Sequence, residues 1–420
     1  MSLRQTIKYI LLELGKHLHI DTIFYARILG WVGVNYSTSV LRGITTTFLL
    51  ARWLPAETFG AFRYVIAIYG LASIFSFSSY NSGVIRGVAA NDTETAWAAG
   101  KQMIKYSFIG SSVIIGAGIE RLWNGEATIA TCIFVSSLFF PFASASSLYG
   151  SVLTGSRKID TLSKHHSMNN ILFILVFLLS LYLGRKNLVV ITLAFFGVDV
   201  ILKSLLTLYH LSKLERRGSA AKHLELGSQL SAMGIAQAFA HQIDQFIIQR
   251  FFGYTALANY NIAILIPEQI IDFIKGFSGI LLQRKTEEPL NERASIQSTR
   301  KQMMYFFYCT ALLVGVYALA APPFIKLFFP KYTSQIIPTI VYAFGIIGTA
   351  SSIGFAWMQA RHRIKDLWRF SLVNGTLQIV LTTMLTPLFG SMGAIFAKTV
   401  TRIINIPFCI PIKEARKITT

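Results

Sequence analysis

Long apolar runs are the sequence feature that most constrains what this chain can fold into. Each run has about 20 residues, the length that crosses a bilayer core of roughly 30 Å as an α-helix. Hydrophobic residues make up 53% of the 420 residues and charged residues 14%, whereas a typical soluble domain carries roughly 25% charged residues. Lipid offers the backbone no hydrogen-bond partner, so such runs must be helical. The sequence therefore predicts an all-α integral membrane protein.

We predict twelve transmembrane helices, six in each half of the chain. Their expected ranges are 29–54, 59–84, 103–119, 127–153, 168–183, 188–211, 230–252, 256–282, 304–329, 336–358, 367–388 and 392–412. An even number of spans places both termini on the same side of the membrane. We expect a cytoplasmic N-terminal segment at 1–28, six-helix bundles at 29–220 and 221–412, and a cytoplasmic tail at 413–420.

The distribution of basic residues predicts which side is cytoplasmic. Most loop lysines and arginines lie on the side of the two termini, including Arg157, Lys158, Arg216 and Arg217, and the positive-inside rule makes that side cytoplasmic. The formal net charge of +20 is thus mainly a topology signal. It favours contact with anionic membrane lipids. It does not indicate nucleic-acid binding, because the basic residues lie in short loops between spans.

Two sequence echoes indicate that the chain contains a duplication. The stretch from Phe48 through Arg52 to Phe62 is repeated 198 residues later as Phe246, Arg250 and Tyr260. The stretch Ala145-Ser146-Ser147 returns 205 residues later as Ala350-Ser351-Ser352, and Asn169 is matched by Asn374. Each half holds six spans, so the halves enter the membrane in the same direction. Parallel repeats of this kind place a binding site at their interface.

Several predicted spans carry ionisable side chains, which cost several kcal/mol in lipid and usually face a cavity or a partner. Arginine suits a phosphorylated cargo because its guanidinium binds phosphate oxygens bidentately. The cations outnumber the anions, which favours a negatively charged cargo. The cationic candidates within or at the ends of spans are Arg42, Arg52, Arg63, Arg250, Lys275, Lys398 and Arg402, and the candidates for ion coupling are His241, Asp244, Glu268 and Asp272.

Simpler structural roles for these residues stay open. Asp199 and Lys203 are spaced as a self-neutralising pair, and the same applies to Asp272 and Lys275. Lys398 and Arg402 could extend towards lipid headgroups, while Arg52 and Arg250 stand at span ends, where a positioning role is equally open. Arg42 has no acidic residue within one helical turn. His241 could be a packed, hydrogen-bonded histidine.

The sequence also contains no motif of an ATP-driven or catalytic protein. It has no Walker A motif, nucleophile elbow or metal-ligand cluster, and Cys132, Cys309 and Cys409 lack metal-ligand spacing. We therefore expect a non-enzyme without a metal or cofactor. Energy would come from a proton or sodium gradient, the membrane potential, or consumption of the cargo on the far side.

The junction of spans 1 and 2, with Arg52 followed by Phe59-Gly60 and Phe62, resembles the multidrug/oligosaccharidyl-lipid/polysaccharide exporter superfamily. The junction that opens the second half, with Asp244, Phe246, Gly253 and Tyr260, is similar to the matching part of that superfamily. Within it, the chain is similar to bacterial polysaccharide-biosynthesis flippases. The resemblance implies a MATE-like fold with a cation-lined central cavity between two pseudo-repeats.

The same resemblance implies a cargo and a location. The cargo would be an undecaprenyl-pyrophosphate-linked O-antigen or capsule repeat unit, carried across the bacterial inner membrane by alternating access. The polymerase and chain-length machinery of the same pathway would be partners. A multidrug exporter of the same fold is one alternative, and it predicts a cavity dominated by acidic residues. A membrane glycan polymerase or ligase is another, and it would need a large extracytoplasmic loop.

The predicted topology can be tested with single cysteines in a background in which Cys132, Cys309 and Cys409 are replaced. In spheroplasts, we expect an impermeant thiol reagent to label R185C, between spans 5 and 6, and to leave R157C unlabelled until the membrane is permeabilised. The expectation follows from the positive-inside rule. The opposite labelling pattern would place both termini outside.

Overall fold

A computed structural model describes residues 22–184, 187–276, 292–361 and 363–410. Within these ranges the chain is almost entirely helical, and they contain no strand. A helical backbone is the expected state for apolar runs, because each helix satisfies its own backbone hydrogen bonds. The predicted tail at 413–420 and most of the predicted N-terminal segment at 1–28 lie outside the described residues.

The described ranges contain thirteen α-helices. They are α1 (Thr22–Trp53), α2 (Ala56–Ala72), α3 (Tyr80–Ala89), α4 (Glu94–Trp123), α5 (Ala127–Ala143), α6 (Leu148–Gly155), α7 (Ile159–Leu183), α8 (Leu188–Ser212), α9 (Ala221–Gly276), α10 (Glu292–Phe328), α11 (Ile336–Ala343), α12 (Ser351–Ala360) and α13 (Ile364–Phe408). Short 3₁₀ turns at Ser73–Ser76, Ala145–Ser147, Pro330–Gln335 and Phe344–Ala350 connect several of them.

Two of these helices are bent at a glycine into two arms. Gly253 in α9 has φ 79° and Gly390 in α13 has φ 62°. A positive φ is readily accessible only to glycine, which has no Cβ. Each break falls between two predicted spans, so α9 has arms at 221–252 and 254–276, and α13 has arms at 364–389 and 391–408. The apolar pattern had placed both boundaries within a few residues.

The number of spans agrees with the sequence less directly. Six described helical stretches are long and apolar enough to cross a membrane, and there are seven if the pair Ala127–Ala143 and Ala145–Gly155, bent by 47°, forms one span. Helices α1, α4 and α9 are not among them. When α9 and α13 are divided at their glycines and short bends are bridged, the described helices form stretches compatible with the twelve predicted spans. The protein is a multi-pass membrane protein.

The chain divides into two compact units. Unit 1 takes the described residues up to Thr46, together with Phe75–Val113 and Phe134–Leu230. Unit 2 takes Thr47–Ile74, Ile114–Ile133 and the described residues from Ser231 onwards. Unit 2 therefore contains segments from both sequence repeats. The bundles at 29–220 and 221–412 remain a prediction.

Within unit 2, the two repeats contact each other at two equivalent places, as expected for repeats related by a two-fold axis. Lys331 Nζ donates to the backbone oxygen of Arg52 at 3.4 Å. At the equivalent place, Tyr254 OH donates to Glu126 Oε2 at 2.5 Å. Glu126 and Lys331 are 205 residues apart, and Tyr254 lies one turn beyond Arg250, the mate of Arg52. The repeated sequence stretches thus also make equivalent contacts.

One contact of unit 2 joins a residue to the residue at the equivalent position of the other repeat. Arg63 Nε donates to Asn261 Oδ1 at 2.6 Å, and the two residues are 198 positions apart, the offset of the first sequence echo. Equivalent positions touch each other only where they lie beside the axis that relates two repeats. The pseudo-two-fold axis therefore passes close to this pair.

A buried arginine joins helices of both repeats in the same unit. Arg121, at the end of α4, donates to Tyr64 OH at 2.9 Å and to Gln249 Oε1 at 3.4 Å. Its guanidinium also lies 3.5 Å from Glu126 Oε2 and 4.8 Å from the centre of the Tyr64 ring. Arg121 is 8% exposed. A buried cation with this many partners is expected to stabilise unit 2.

We predict that R121M lowers the midpoint of thermal unfolding of the detergent-purified protein. Hydrogen bonds to a charged group contribute about 1.5–3 kcal/mol each, and the change leaves several buried acceptors unsatisfied. Arg86 is exposed near the end of α3, so R86M serves as the matched control. An R121M midpoint equal to that of R86M would contradict a stabilising role.

Candidate functional site

The densest group of ionisable side chains in unit 2 lies where α9 and the second arm of α13 pack together. On the first arm of α9, His241 and Asp244 are three residues apart, and on the second arm Glu268, Asp272 and Lys275 follow at spacings of four and three. Lys398 and Arg402 are four residues apart on α13. Spacings of three and four place side chains on one helical face. Apart from Arg250, the candidate residues that the sequence singled out in the second half therefore lie on helical faces that meet in this part of unit 2.

Asp244 and Lys398 form a fully buried ion pair. Lys398 Nζ lies 2.7 Å from Asp244 Oδ2, and the two side chains are 2% and 0% exposed. Lys398 Nζ also donates to the backbone oxygen of His241 at 3.1 Å, and Tyr260 OH donates to Asp244 Oδ2. Lys398 thus does not extend to the lipid headgroups, which was one of the roles left open by the sequence.

Glu268 and Arg402 form a second ion pair, which is more accessible. Arg402 Nη2 lies 2.8 Å from Glu268 Oε1, with the side chains 18% and 15% exposed. Tyr342 OH donates to the same carboxylate oxygen, and the Arg402 guanidinium lies 5.0 Å from the centre of the Tyr342 ring. Arg402 Nη1 is buried without a hydrogen-bond partner among the described residues. The guanidinium therefore keeps unused donor capacity.

A cavity of about 300 Å³ opens beside these pairs. Its cationic or potentially cationic lining residues are His241, Lys275 and Arg402. The remaining lining residues are Gln237, Ile271, Gly348, Thr349, Ser351, Ser352, Phe355, Phe370, Asn374, Gln378 and Asn405. Among the described residues, no aspartate or glutamate lines the cavity. The wall thus presents positive charge, amides and hydroxyls, while Asp244 and Glu268 lie behind it.

Asp272 and Lys275 are both exposed on the second arm of α9. Lys275 lines the cavity, whereas Asp272 is not among its lining residues. The self-neutralising role that the sequence left open for this pair is compatible with this arrangement.

Arg42 lies in unit 1, within a separate, partly buried cluster. Arg42 Nη1 lies 2.6 Å from Asp199 Oδ1, and Lys203 Nζ lies 2.6 Å from Asp199 Oδ2. Asn169 Nδ2 donates to the same carboxylate at 3.2 Å, and the Arg42 guanidinium lies 3.6 Å from the centre of the Phe173 ring. The sequence identified the Asp199–Lys203 pair. It could not show Arg42 joining it, because Asp199 comes from α8 and not from the helix of Arg42.

Four predicted cations of unit 2 do not line the cavity. Lys398 is buried against Asp244, and Arg63 donates to Asn261. Arg52 is exposed at the end of α1 and lines a second cavity of about 270 Å³. Arg250 is exposed near the end of the first arm of α9. The structure therefore gathers Lys275, Arg402 and His241 at the cavity and leaves the other four cations outside its lining.

Sequence reasoning noted Gln237 on the same helical face as His241 and Asp244, but it did not predict the other amides of the lining. Gln237, Asn374, Gln378 and Asn405 line the cavity, and Asn405 Nδ2 donates to Asn374 Oδ1 at 2.9 Å. A usable signal was present, because Asn374 and Gln378 are four residues apart on α13, and Asn405 lies three beyond Arg402. Asn374 was noted only as the repeat mate of Asn169. Polar amides at helical spacing in an apolar run would have marked this face.

Comparison with known proteins gives a family match and a shared fold. A family described as "Polysaccharide biosynthesis protein" matches residues 27–266, more than half of the chain. No curated protein sequence matches. Three solved structures share the fold at low sequence identity.

The first is described as lipid II flippase MurJ in an inward closed conformation, with TM-score 0.68, 12% identity, and coverage of 91% of this chain and 86% of that one. The second is an inward-facing multidrug resistance MATE family transporter of the MOP superfamily, with TM-score 0.62, 13% identity, and coverage of 89% and 92%. The third is a MOP superfamily transporter from Pyrococcus furiosus, described by a reverse polarity of its binding pocket, with TM-score 0.60, 12% identity, and coverage of 91% and 94%. These structures confirm the MATE-like helical fold.

We predict that Glu268 and Arg402 stabilise the protein as a pair. E268Q or R402M alone leaves a charge without its partner, so each lowers the unfolding midpoint. The double variant should lose less than the sum of the two, with a coupling of about 1–3 kcal/mol. Thermal unfolding of the four proteins in detergent measures the coupling.

The control is the same cycle on Glu215 and Arg217, an ion pair with side chains 77% and 69% exposed. An exposed pair contributes little because water screens it. Equal coupling in both cycles would show that burial does not strengthen the Glu268–Arg402 pair.

Proposed function

The chain belongs to the polysaccharide biosynthesis protein family, and from that premise we propose that it is a lipid-linked oligosaccharide flippase. It would move an undecaprenyl-pyrophosphate-linked O-antigen or capsular repeat unit across the bacterial inner membrane by alternating access, with both termini in the cytoplasm. The family match and the fold support a membrane transporter of this superfamily. The cargo is the part of the proposal that rests on the cavity.

The observation that carries the cargo assignment is the polarity of the cavity wall. Lys275 and Arg402 line it, and no carboxylate among the described residues does. In a low-dielectric surrounding, such a wall attracts anions and repels organic cations. This polarity opposes a cationic-drug exporter, which needs acidic groups facing its cargo. A structural neighbour described by a reversed pocket polarity also illustrates that this fold accepts more than one charge pattern.

The lining supplies the contacts that a phosphorylated sugar needs. Arg402 lines the cavity, and arginine binds phosphate oxygens through its planar fork. The amides of Gln237, Asn374 and Gln378 can exchange hydrogen bonds with sugar hydroxyls. A volume of about 300 Å³ is at the small end of ligand pockets. The cavity would therefore hold the phosphorylated end of the headgroup, while the polyprenyl chain stays in lipid.

The remaining cations and the coupling groups complete the proposal. Arg42, Arg52, Arg63 and Arg250 would contact other parts of the glycan or position helices, and Lys398 is considered below. A proton or sodium ion could reset the carrier at Asp244, Glu268, Asp272 or His241. The polymerase and chain-length machinery of the same pathway would then use the translocated unit.

We predict that K275Q slows flipping. Loss of one charged contact to phosphate costs about 1.5–3 kcal/mol, which corresponds to at least about tenfold weaker binding. Deletion of the gene should trap lipid-linked repeat units in the cytoplasmic leaflet, and K275Q should restore surface polymer poorly. Surface glycan and the leaflet distribution of the lipid-linked unit are the measurements.

Lys326 provides the matched control, because it is an exposed lysine near the end of α10 outside the cavity lining. We expect K326Q to restore surface polymer like the wild type at equal protein level. Normal surface polymer in the deletion strain would refute the flippase function. Equal activity of K275Q and K326Q would refute only the assignment of the cavity.

A further inference from the structure

We infer that Lys398 is a tethered monovalent cation, held in an oxygen-lined cation site built around Asp244. The positive charge at this site would then come from the chain itself and not from a dissolved ion. The inference goes beyond the proposed function, because it concerns what occupies Asp244 and not what the cavity carries.

The carboxylate of Asp244 is buried together with its partner Lys398. Asp244 is 0% exposed and Lys398 is 2% exposed. An ionised carboxylate removed from water is very costly unless a counter-charge lies beside it. While it is ionised, Asp244 therefore needs a cation beside it, and Lys398 Nζ meets that need at 2.7 Å.

Oxygen atoms surround the ammonium group of Lys398. Lys398 Nζ contacts two oxygens, Asp244 Oδ2 and the backbone oxygen of His241, and lies 5.9 Å from the centre of the Tyr260 ring. Carboxylate and carbonyl oxygens are also the ligands that hard metal cations take in proteins. The surroundings that hold the ammonium are thus of the chemical type that would hold a free alkali ion.

Several buried oxygens of α9 and α13 have no hydrogen-bond partner among the described residues. They include Asp244 Oδ1 and Gln245 Oε1 on α9, and Thr382 Oγ1 and Thr386 Oγ1 on α13. Both threonines are 0% exposed. Buried polar atoms are normally hydrogen-bonded, so a concentration of unpaired acceptors on two adjoining helices calls for an explanation.

The packing of the two helices sets the register between α9 and α13. A Cβ added at Gly375 would lie 3.1 Å from Ala236, and Gln378 Nε2 donates to the backbone oxygen of Ala240 at 2.7 Å. Thr382 follows Gln378 by one helical turn, and Asp244 follows Ala240 by one, so the same register predicts that Thr382 faces Asp244. With Asp244 Oδ1 also unpaired, this position would offer more oxygens than one ammonium group contacts.

The covalent link has a consequence for transport. An ion from solution can dissociate in each cycle, whereas Lys398 can only move with α13. Asp244 would then stay neutralised without a bound alkali ion. The second pair differs, because Arg402 lines the cavity and both of its members are partly exposed. Exchange with the cargo would fall to Arg402.

The test removes the tethered charge and supplies a dissolved one. Full-length wild type, K398A and the double variant D244N/K398A are purified in detergent, and thermal unfolding is followed in choline chloride, NaCl, KCl and RbCl at equal ionic strength. We expect no alkali-specific shift for the wild type. K398A should unfold at a lower temperature in choline chloride and recover saturably with at least one alkali ion. The double variant, which lacks the carboxylate, should show no such recovery.

R402A is the matched control, since it removes the cation of the other pair and leaves Asp244 with Lys398. It should be destabilised without an alkali-specific recovery. Recovery of R402A equal to that of K398A would overturn the inference. So would an alkali-specific shift in the wild type that D244N abolishes.

Two further outcomes are decisive. The inference fails if K398A recovers with none of the three alkali ions. It also fails if K398A does not fold in any of the four salts while D244N/K398A does fold. In either case, Asp244 and Lys398 form an ordinary structural ion pair. All these readouts are made on purified protein without cargo. They can therefore fail while the flippase proposal stands, and the flippase proposal can fail while they succeed.

Discussion

The cost of placing a charge inside an apolar helix bundle is the constraint on which the rest of this structure depends. Wherever the described spans contain a carboxylate deep within them, a basic side chain from another part of the chain lies beside it. Asp244 is held by Lys398, Glu268 by Arg402, and Asp199 by Arg42 and Lys203. Such pairs contribute little net stability compared with apolar packing, but breaking one leaves an uncompensated charge. They therefore fix which helices must stay together within each unit.

The exposure of each pair separates structural from functional roles. Asp244 and Lys398 are sealed from water, and their hydrogen bonds bind the first arm of α9 to the second arm of α13. Arg402 lines a cavity whose described wall contains no carboxylate, while its partner Glu268 lies behind it. The cavity can thus be positive towards a cargo although the surrounding cluster contains acidic residues. Under the proposed function, the position of each charge relative to the cavity, and not the number of charges, would favour an anionic cargo.

Duplication explains why the same pattern of residues occurs twice in the chain. The sequence echo at 198 residues is matched by a contact between Arg63 and Asn261, which are separated by that same offset. The exchanged contacts of Lys331 with Arg52 and of Tyr254 with Glu126 follow the same relation. The repeats have since diverged in their chemistry. Asn169 donates to Asp199, whereas its mate Asn374 accepts from Asn405 and lines the cavity.

The sequence by itself determined the fold class, because runs of apolar residues leave the backbone no alternative to helices in lipid. It also placed the breaks near Gly253 and Gly390, and it put Glu268 and Lys275 on one helical face and Lys398 and Arg402 on another, since helical spacing is a local property. Only the tertiary structure decided the partners. It paired Arg42 with Asp199, buried Lys398 against Asp244 and brought Gln237, Asn374, Gln378 and Asn405 to one wall. The physical reason is that these contacts join helices far apart in the chain, and periodicity along one helix carries no information about its neighbours.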